Sequence, residues 1–169
     1  MTKLFPKQHG VMLIEALVGI LIFAIGILAL IAMQTMAIRA TQDARYRTDA
    51  VNYANDLLSQ ILVSVDRTNP GSLQASLAAF QHQPTIAANC SYSGGASASA
   101  VVTNWAQLVT GTSALTPPPR LPLPGTSGTM VQVLVNTAAG AYNTVAITVC
   151  WKAPDDPVAR KHVLISYVT

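Results

Sequence analysis

One apolar segment, Val11–Met33, constrains the fold more than any other part of the chain. Its 23 residues include a single charged side chain, Glu15, and they contain no proline. A helix rises ~1.5 Å per residue, so this segment would extend ~34 Å and could cross a bilayer core of ~30 Å with some tilt. A carboxylate near the start of such a span is costly unless it has a partner. The sequence therefore predicts a membrane helix in which Glu15 has a specific role.

The ten residues before this segment, MTKLFPKQHG, are short, polar and basic. A secretory signal peptide is cleaved after its apolar region, at small residues. Here the small residue Gly10 precedes the apolar run, so cleavage there would leave the hydrophobic segment in the product. Basic residues lie on both sides of the span and do not fix its orientation. These are Lys3 and Lys7 on one side and Arg39, Arg45 and Arg47 on the other.

From Gln34 the sequence becomes polar, yet no residue interrupts the helix. Apolar residues continue at three- and four-residue steps, as on one face of an amphipathic helix. This series comprises Met36, Ala40, Ala44, Val51, Ala54, Leu58, Ile61 and Val65. We predict a single helix from Val11 to about Val65, ~80 Å long, which Asn69-Pro70-Gly71 ends. The chain then divides into residues 1–10, a membrane segment 11–33, a helical continuation 34–66 and a globular domain 67–169.

The globular domain is predicted to be α+β. Residues 72–83 have helical spacing, and residues 84–128 are rich in Ser, Thr, Gly and Pro, which predicts mostly loop with a short helix near 103–109. Three β-branched runs follow, at 129–136, 143–151 and 161–168, and short links between them predict an antiparallel meander of three strands. One face of this sheet needs cover. The apolar end of the long helix, 57–65, is the expected cover.

The two cysteines, Cys90 and Cys150, are 60 positions apart and lack the close spacing of metal ligands. If the domain is exported, a disulfide is the simplest interpretation. Closing this loop would remove roughly 4 kcal/mol of unfolded-state entropy on the chain-entropy model. The alternative is two unrelated buried thiols.

Composition and motifs argue against several functional classes. Charged residues make up only 10% of the chain and the formal charge is +3, with no basic stripe, so nucleic-acid binding is not expected. His82 and His162 are isolated from other catalytic residue types, and we predict no enzymatic activity, cofactor or metal. Asp155-Asp156 is expected to be a solvated turn rather than a calcium site. Trp105 and Trp151 are expected in the core, with exposed recognition residues as the alternative.

The segment Gly10-Val11-Met12-Leu13-Ile14-Glu15-Ala16-Leu17-Val18 resembles the class III signal of type IV prepilins and type II secretion pseudopilins. Further segments are similar to the type IV pilus modification proteins, the PilV-type minor pilins. These are Ala29-Leu30 through Met33-Gln34, Arg47-Thr48-Asp49-Ala50, Ala54-Asn55-Asp56-Leu57-Leu58, Trp105-Ala106-Gln107-Leu108, Leu121-Pro122-Leu123-Pro124-Gly125 and the strand ending in Val149-Cys150-Trp151. The resemblance implies a pilin-like fold.

The resemblance also implies how the chain is processed and where it acts. A prepilin peptidase would cut after Gly10 and methylate the new amino terminus at Val11, and Glu15 would pair with the Val11 amine of a neighbouring subunit. The chain would lie in the bacterial inner membrane with its N-terminus cytoplasmic and its C-terminal domain periplasmic, and would then enter a pilus. Its implied partners are the peptidase, other minor and major pilins, membrane lipid and the pilus assembly platform.

Two other functions remain open at this point. A minor pseudopilin of type II secretion has a similar N-terminal segment, here Leu13–Ala29. A signal-anchored periplasmic enzyme is the third possibility, and an intact Met1 in the mature protein would indicate it.

Overall fold

The computed structural model describes residues 11–86, 88–115, 120–154 and 156–169. It contains three α-helices, α1 (Val11–Ser64), α2 (Pro70–Ala78) and α3 (Ala100–Thr110). Two short strands, β1 (Thr85–Ile86) and β2 (Tyr92–Ser93), precede α3, and β3 (Val131–Asn136), β4 (Thr144–Trp151) and β5 (Arg160–Tyr167) follow it. A long apolar N-terminal helix and a three-stranded antiparallel sheet confirm the α+β expectation.

The chain divides into two compact units, with the boundary between Gln42 and Asp43. The described residues of the first unit form the N-terminal part of α1. Its large apolar side chains are exposed along the whole segment from Met12 to Ile38. In the part of the chain that the structure describes, this is the one helix long and apolar enough to cross a membrane.

The second unit is built around the sheet, whose strands lie in the order β3-β4-β5. The pairing is antiparallel, with Val131 opposite Val149 and Trp151 opposite Arg160. The strands therefore form the predicted meander, with ends that differ by one or two residues from those expected. Alternate residues of β4, Val145, Ile147 and Val149, are fully buried. Side chains alternate across a strand, so these three point to one face of the sheet.

The C-terminal turns of α1 cover this sheet face, as predicted. Ala50, Tyr53, Ala54, Leu57, Ile61 and Val65 share one core cluster with the valines of β3 and β4. The phase predicted for the apolar stripe was partly wrong, since Val51 is 36% exposed and Leu58 is only half-buried. The alanines at the start of the stripe give only a weak hydrophobic signal, so the sequence did not identify the buried face of α1 correctly. In the structure, packing against the rest of the core buries the row of residues that includes Ala50, Leu57 and Ile61.

The segment Asn69-Pro70-Gly71 begins a helix rather than only ending one. Helix α1 already stops at Ser64, and the Asn69 side chain accepts a hydrogen bond from the Ser72 amide while Ser72 Oγ accepts one from the Asn69 amide. Pro70 occupies the first turn, where its missing N–H is harmless. This reciprocal cap shifts α2 two residues earlier than predicted, and the helix ends at Ala78 rather than at residue 83.

Residues 84–128 contain more regular structure than the low-complexity sequence indicated. Thr85 pairs with Ser93 and Ile86 with Tyr92 in a two-residue antiparallel ladder. Helix α3 is longer than the predicted 103–109 segment, and it ends at Thr110, where Gly111 with a left-handed φ of 73° caps it. The short ladder was missed because two-residue strands show no periodicity.

Candidate functional site

The residues singled out from the sequence fall into two groups, one in each unit. Gly10 lies outside the described residues. Val11 is the first residue of α1, and Glu15 lies one turn later on the same helix. Cys90 and Cys150 belong to the second unit.

Within the N-terminal unit, the segment Met12–Met33 presents an exposed apolar surface that contains one carboxylate, that of Glu15. The side chain of Glu15 is exposed, as are those of its neighbours Ile14 and Leu17, and no described residue forms an ion pair with it. An apolar surface of this extent is unfavourable in water and requires lipid or other apolar helices around it. A carboxylate in such surroundings gains from an amine at close range, because the local dielectric constant is low.

The cysteines form a disulfide that attaches the β1–β2 segment to the sheet. Cys90 and Cys150 are bonded with their Cα atoms 6.1 Å apart. Cys90 follows β1 and Cys150 lies on β4, so the bond ties the two-stranded ladder to the central strand. The predicted disulfide is thus present in the structure.

Tyr92 completes a small cluster around this bond. Its hydroxyl lies 3.6 Å from Cys150 Sγ and is the donor, since a disulfide sulfur carries no hydrogen. Met130 and Ala159 pack against the same three residues. Burial raises the pKa of the Tyr92 hydroxyl above its ordinary value, so the group stays protonated as a donor. This cluster therefore covers part of the face of β4 that lies opposite the main core.

An ion-pair network joins α1 to the start of β5. The Asp43 carboxylate accepts a 3.0 Å hydrogen bond from Arg47 Nε and also binds Arg160 Nη1. Arg160 in turn donates from Nη2 to Asp156 Oδ1 at 2.9 Å. The hydrogen bond with Asp156, followed by its charge and that of Asp43, raises the pKa of the Arg160 guanidinium. Asp156, expected in a solvated turn, is thus held by Arg160, while Asp155 lies outside the described residues.

The two tryptophans are core residues, as expected, each 2% exposed. Trp105 Nε1 donates a 2.8 Å hydrogen bond to the backbone carbonyl of Tyr53. His82 is also buried, and its Nδ1 accepts a 3.1 Å hydrogen bond from the Ser97 amide. Burial lowers the pKa of this imidazole, which favours the neutral form that can accept the bond. Among the described residues, no group of three or more His, Cys, Asp or Glu side chains could hold a metal ion.

No family model matches the sequence, and no curated protein or solved structure matches the chain.

Proposed function

We propose that the chain is a minor pilin of the type IV pilus, cut after Gly10 and assembled through α1. The observation that carries this proposal is the position of Glu15. It is the one acid in the exposed apolar segment Met12–Met33, and it is the fifth residue after Gly10, as in the class III signal that this segment resembles.

Because its apolar side chains are exposed, the N-terminal part of α1 can lie in two apolar environments in succession. Lipid of the bacterial inner membrane surrounds it first, and the apolar helices of other pilins surround it after assembly. Cleavage after Gly10 creates a free amine at Val11. Pairing of this amine with Glu15 of a neighbour neutralises two charges in a medium of low dielectric constant and sets the axial position of one subunit against the next.

The disulfide supports a periplasmic position for the second unit. Structural disulfides form and persist in oxidising compartments such as the bacterial periplasm. With the span 11–33 in the membrane and Cys90 and Cys150 outside, the N-terminus lies on the cytoplasmic side. In this position the second unit meets other pilins, and the prepilin peptidase and the assembly platform act on α1.

The substitution Glu15→Ala tests assembly directly. We expect the variant to be processed like the wild type but to stay in the membrane fraction instead of the sheared pilus fraction. Thr35→Ala is the matched control, because Thr35 is also exposed on α1 and its hydroxyl bonds only to the Ile31 carbonyl of the same helix. Normal incorporation of Glu15→Ala into pili would overturn the proposed role of this carboxylate.

Processing has its own test. Gly10→Glu places a side chain where the peptidase must accommodate backbone, so we expect an uncut precursor that is heavier by the mass of residues 1–10. Mature protein of wild-type mass from this variant would contradict cleavage at Gly10, and an intact Met1 in the wild type would favour a signal-anchored enzyme.

A deletion strain separates the pilus from the secretion pseudopilus, whose subunits have a similar Leu13–Ala29 segment. Loss of surface pili and twitching with intact protein secretion supports the minor pilin. Intact pili with lost secretion would instead assign the chain to type II secretion.

A further inference from the structure

Strand β5 forms one edge of the three-stranded sheet, and the outer side of its backbone is unpaired. It is the last strand in the order β3-β4-β5, and its residues pair one-to-one with β4 from Arg160 to Tyr167. The opposite edge of the sheet is closed at Val133, which exchanges two backbone hydrogen bonds of 2.9 and 3.0 Å with His82. No described residue forms backbone hydrogen bonds of this kind with the outer side of β5.

The hydrogen-bond pattern of the sheet identifies the backbone groups at this free edge. The N–H and C=O of one residue point to the same side of a strand, and that side alternates along the strand. Because Val133 binds His82, its backbone groups point away from β4, and those of Ile147 opposite it point toward β5. Leu164 lies opposite Ile147 and therefore binds β4. The groups that point outward belong to every second residue, which we call the outward residues: Lys161, Val163, Ile165 and Tyr167.

The side chains of the outward residues lie on the sheet face opposite α1, and three of them are apolar and exposed. Val163, Ile165 and Tyr167 are 41%, 59% and 63% exposed. Tyr142 extends this surface, because its exposed ring meets that of Tyr167 edge-on with the centroids 6.5 Å apart. An apolar surface therefore lies directly beside a row of unpaired backbone groups.

The edge of β5 lacks most of the features that protect edge strands. Natural edge strands avoid association by being short or by carrying proline, bulges or several charges. Strand β5 has eight residues, contains no proline and pairs with β4 without a bulge. The one charged side chain among its outward residues is Lys161, at the end of the row. Such an edge is a template for another extended backbone, which supplies the matching donors and acceptors that a helix or lipid lacks.

The charges of β5 favour a strand of different sequence over a second copy of β5. Arg160 is engaged by Asp43 and Asp156, whereas Lys161 forms no ion pair with the described residues. Opposite charges on directly facing residues stabilise a strand pair, and like charges destabilise it. Strand β5 contains no acidic residue, so a second copy of β5 cannot supply a counter-ion for Lys161.

We propose that β5 binds an extended segment of a different polypeptide as a fourth strand of the sheet. Apolar side chains of that segment lie beside Val163, Ile165 and Tyr167, and a carboxylate lies beside Lys161. Main-chain hydrogen bonds provide the affinity in this mode of recognition, and alternate side chains provide the specificity. The surface belongs entirely to the second unit, so the proposal does not depend on Glu15 or on the function inferred above.

Amide hydrogen exchange tests the proposal with a synthetic strand as the probe. The probe is the acetylated and amidated peptide VTVTVTE, whose valines and glutamate lie on one face and, in antiparallel alignment, match the four outward residues. Exchange is measured by NMR on full-length ¹⁵N-labelled protein in detergent micelles. Without the peptide, the outward amides should exchange fast and the amides bound to β4 slowly. With the peptide, we expect exchange of the outward amides to slow by tenfold or more. The β4-bound amides are those of His162, Leu164 and Ser166.

Three results of this experiment would overturn the proposal. The first is the absence of any change in exchange or chemical shift along β5. The second is a change in chemical shift of the outward residues without slower amide exchange, since this indicates side-chain contact without strand addition. The third is slow exchange of the outward amides without the peptide that increases with protein concentration, since this assigns the edge to a second copy of the chain.

Two exposed isoleucines form a matched pair of variants. Ile165 lies at the free edge and is 59% exposed, whereas Ile86 is 68% exposed on β1, outside this surface. Ile165→Lys should weaken binding of VTVTVTE roughly tenfold, because it removes apolar contact area and places a charge on the edge. Ile86→Lys should leave binding unchanged. Equal affinities of the two variants would contradict the assigned surface.

Charge reversal tests the position of the carboxylate. The peptide VTVTVTK differs from the probe only in its last residue and should bind the wild type about threefold more weakly. Lys161→Glu should reverse the order of the two peptides. Lys152→Glu is the control, because Lys152 is also exposed but follows β4 and does not belong to the outward residues. An unchanged order in Lys161→Glu, or a reversed order in Lys152→Glu, would contradict the proposed contact.

Discussion

Trp105 Nε1 donates a 2.8 Å hydrogen bond to the backbone carbonyl of Tyr53, which lies 52 positions earlier in the chain. This bond fastens α3 to α1 within the second unit. The Tyr53 hydroxyl donates in turn to the Leu121 carbonyl at 3.0 Å, and Arg120 lies over the Tyr53 ring. Tyr53 of α1 therefore contacts both α3, through Trp105, and the later residues Arg120 and Leu121.

Replacing Trp105 with Phe should lower the free energy of unfolding by about 2 kcal/mol. The substitution removes one hydrogen bond and part of a fully buried ring, while the Tyr53 carbonyl keeps its helical partner. Chemical denaturation of the full-length protein, followed by the fluorescence of the remaining Trp151, measures the change. Tyr142→Phe is the control, because this residue is 75% exposed. Equal stability of the Trp105 variant and wild type would contradict the role of this bond.

Reduction of the Cys90–Cys150 bond should destabilise the second unit by about 4 kcal/mol on the chain-entropy model, given the separation of 60 residues. Denaturation with and without dithiothreitol measures this difference. The double variant Cys90→Ala, Cys150→Ala should be as unstable as the reduced wild type and insensitive to the reductant. If dithiothreitol still lowered the stability of the double variant, its effect on the wild type could not be assigned to the Cys90–Cys150 bond.

Gly125 should not tolerate a side chain. Its φ is +59°, and a Cβ at this position would lie 2.5 Å from the backbone oxygen of Lys152. We expect Gly125→Ala to destabilise the fold by about 2–3 kcal/mol, because the left-handed conformation and the clash with backbone both oppose it. In Gly128→Ala the added Cβ would meet no described atom within 4 Å, and the change should stay within about 0.5 kcal/mol. Thermal denaturation of both variants measures these two changes in stability, and equal losses would contradict the prediction.

His82 should make the second unit sensitive to mild acid. Burial lowers the pKa of its imidazole below the ordinary 6.5, so the unfolded state binds a proton more readily than the folded state. The resulting stabilisation is complete above pH ~6.5 and is lost as the pH falls through the lower folded-state pKa, by at most ~1.4 kcal/mol per pH unit for one proton. His82→Asn keeps an acceptor for the Ser97 amide without a titrating group, so its unfolding free energy should vary less between pH 7 and 5. Identical slopes for the two proteins would contradict this.

The sequence predicted most elements because their signals are local. Long β-branched runs with short links specify β3, β4 and β5, and an unbroken apolar and then amphipathic series specifies α1. Features that depend on competition between local alternatives were predicted less well. Asn69-Pro70 can end one helix or cap the next, and only the hydrogen bonds with Ser72 show that it does the latter.

Contacts between distant residues were the least predictable from the sequence. His162 was interpreted as isolated because no reactive residue type lies near it in sequence. The register of β4 against β5 places His162 opposite Val149 and diagonal to Trp151, and this pairing is a contact between strands that the local sequence does not show. Likewise, the acceptor of the Trp105 indole is a backbone carbonyl, a group that every residue has, so no residue type could have indicated Tyr53.

The pairing of Asp43 with Arg160 has a consequence for the time at which the second unit folds. The two residues are separated by 117 positions, and Arg160 is the first residue of the last strand. Before β5 forms, one edge of β4 is unpaired, and Asp43 lacks its second partner, Arg160. Contacts of such long sequence separation form late and slowly. The second unit can therefore complete its sheet and its contacts with α1 only after β5, Arg160–Tyr167, has been synthesised.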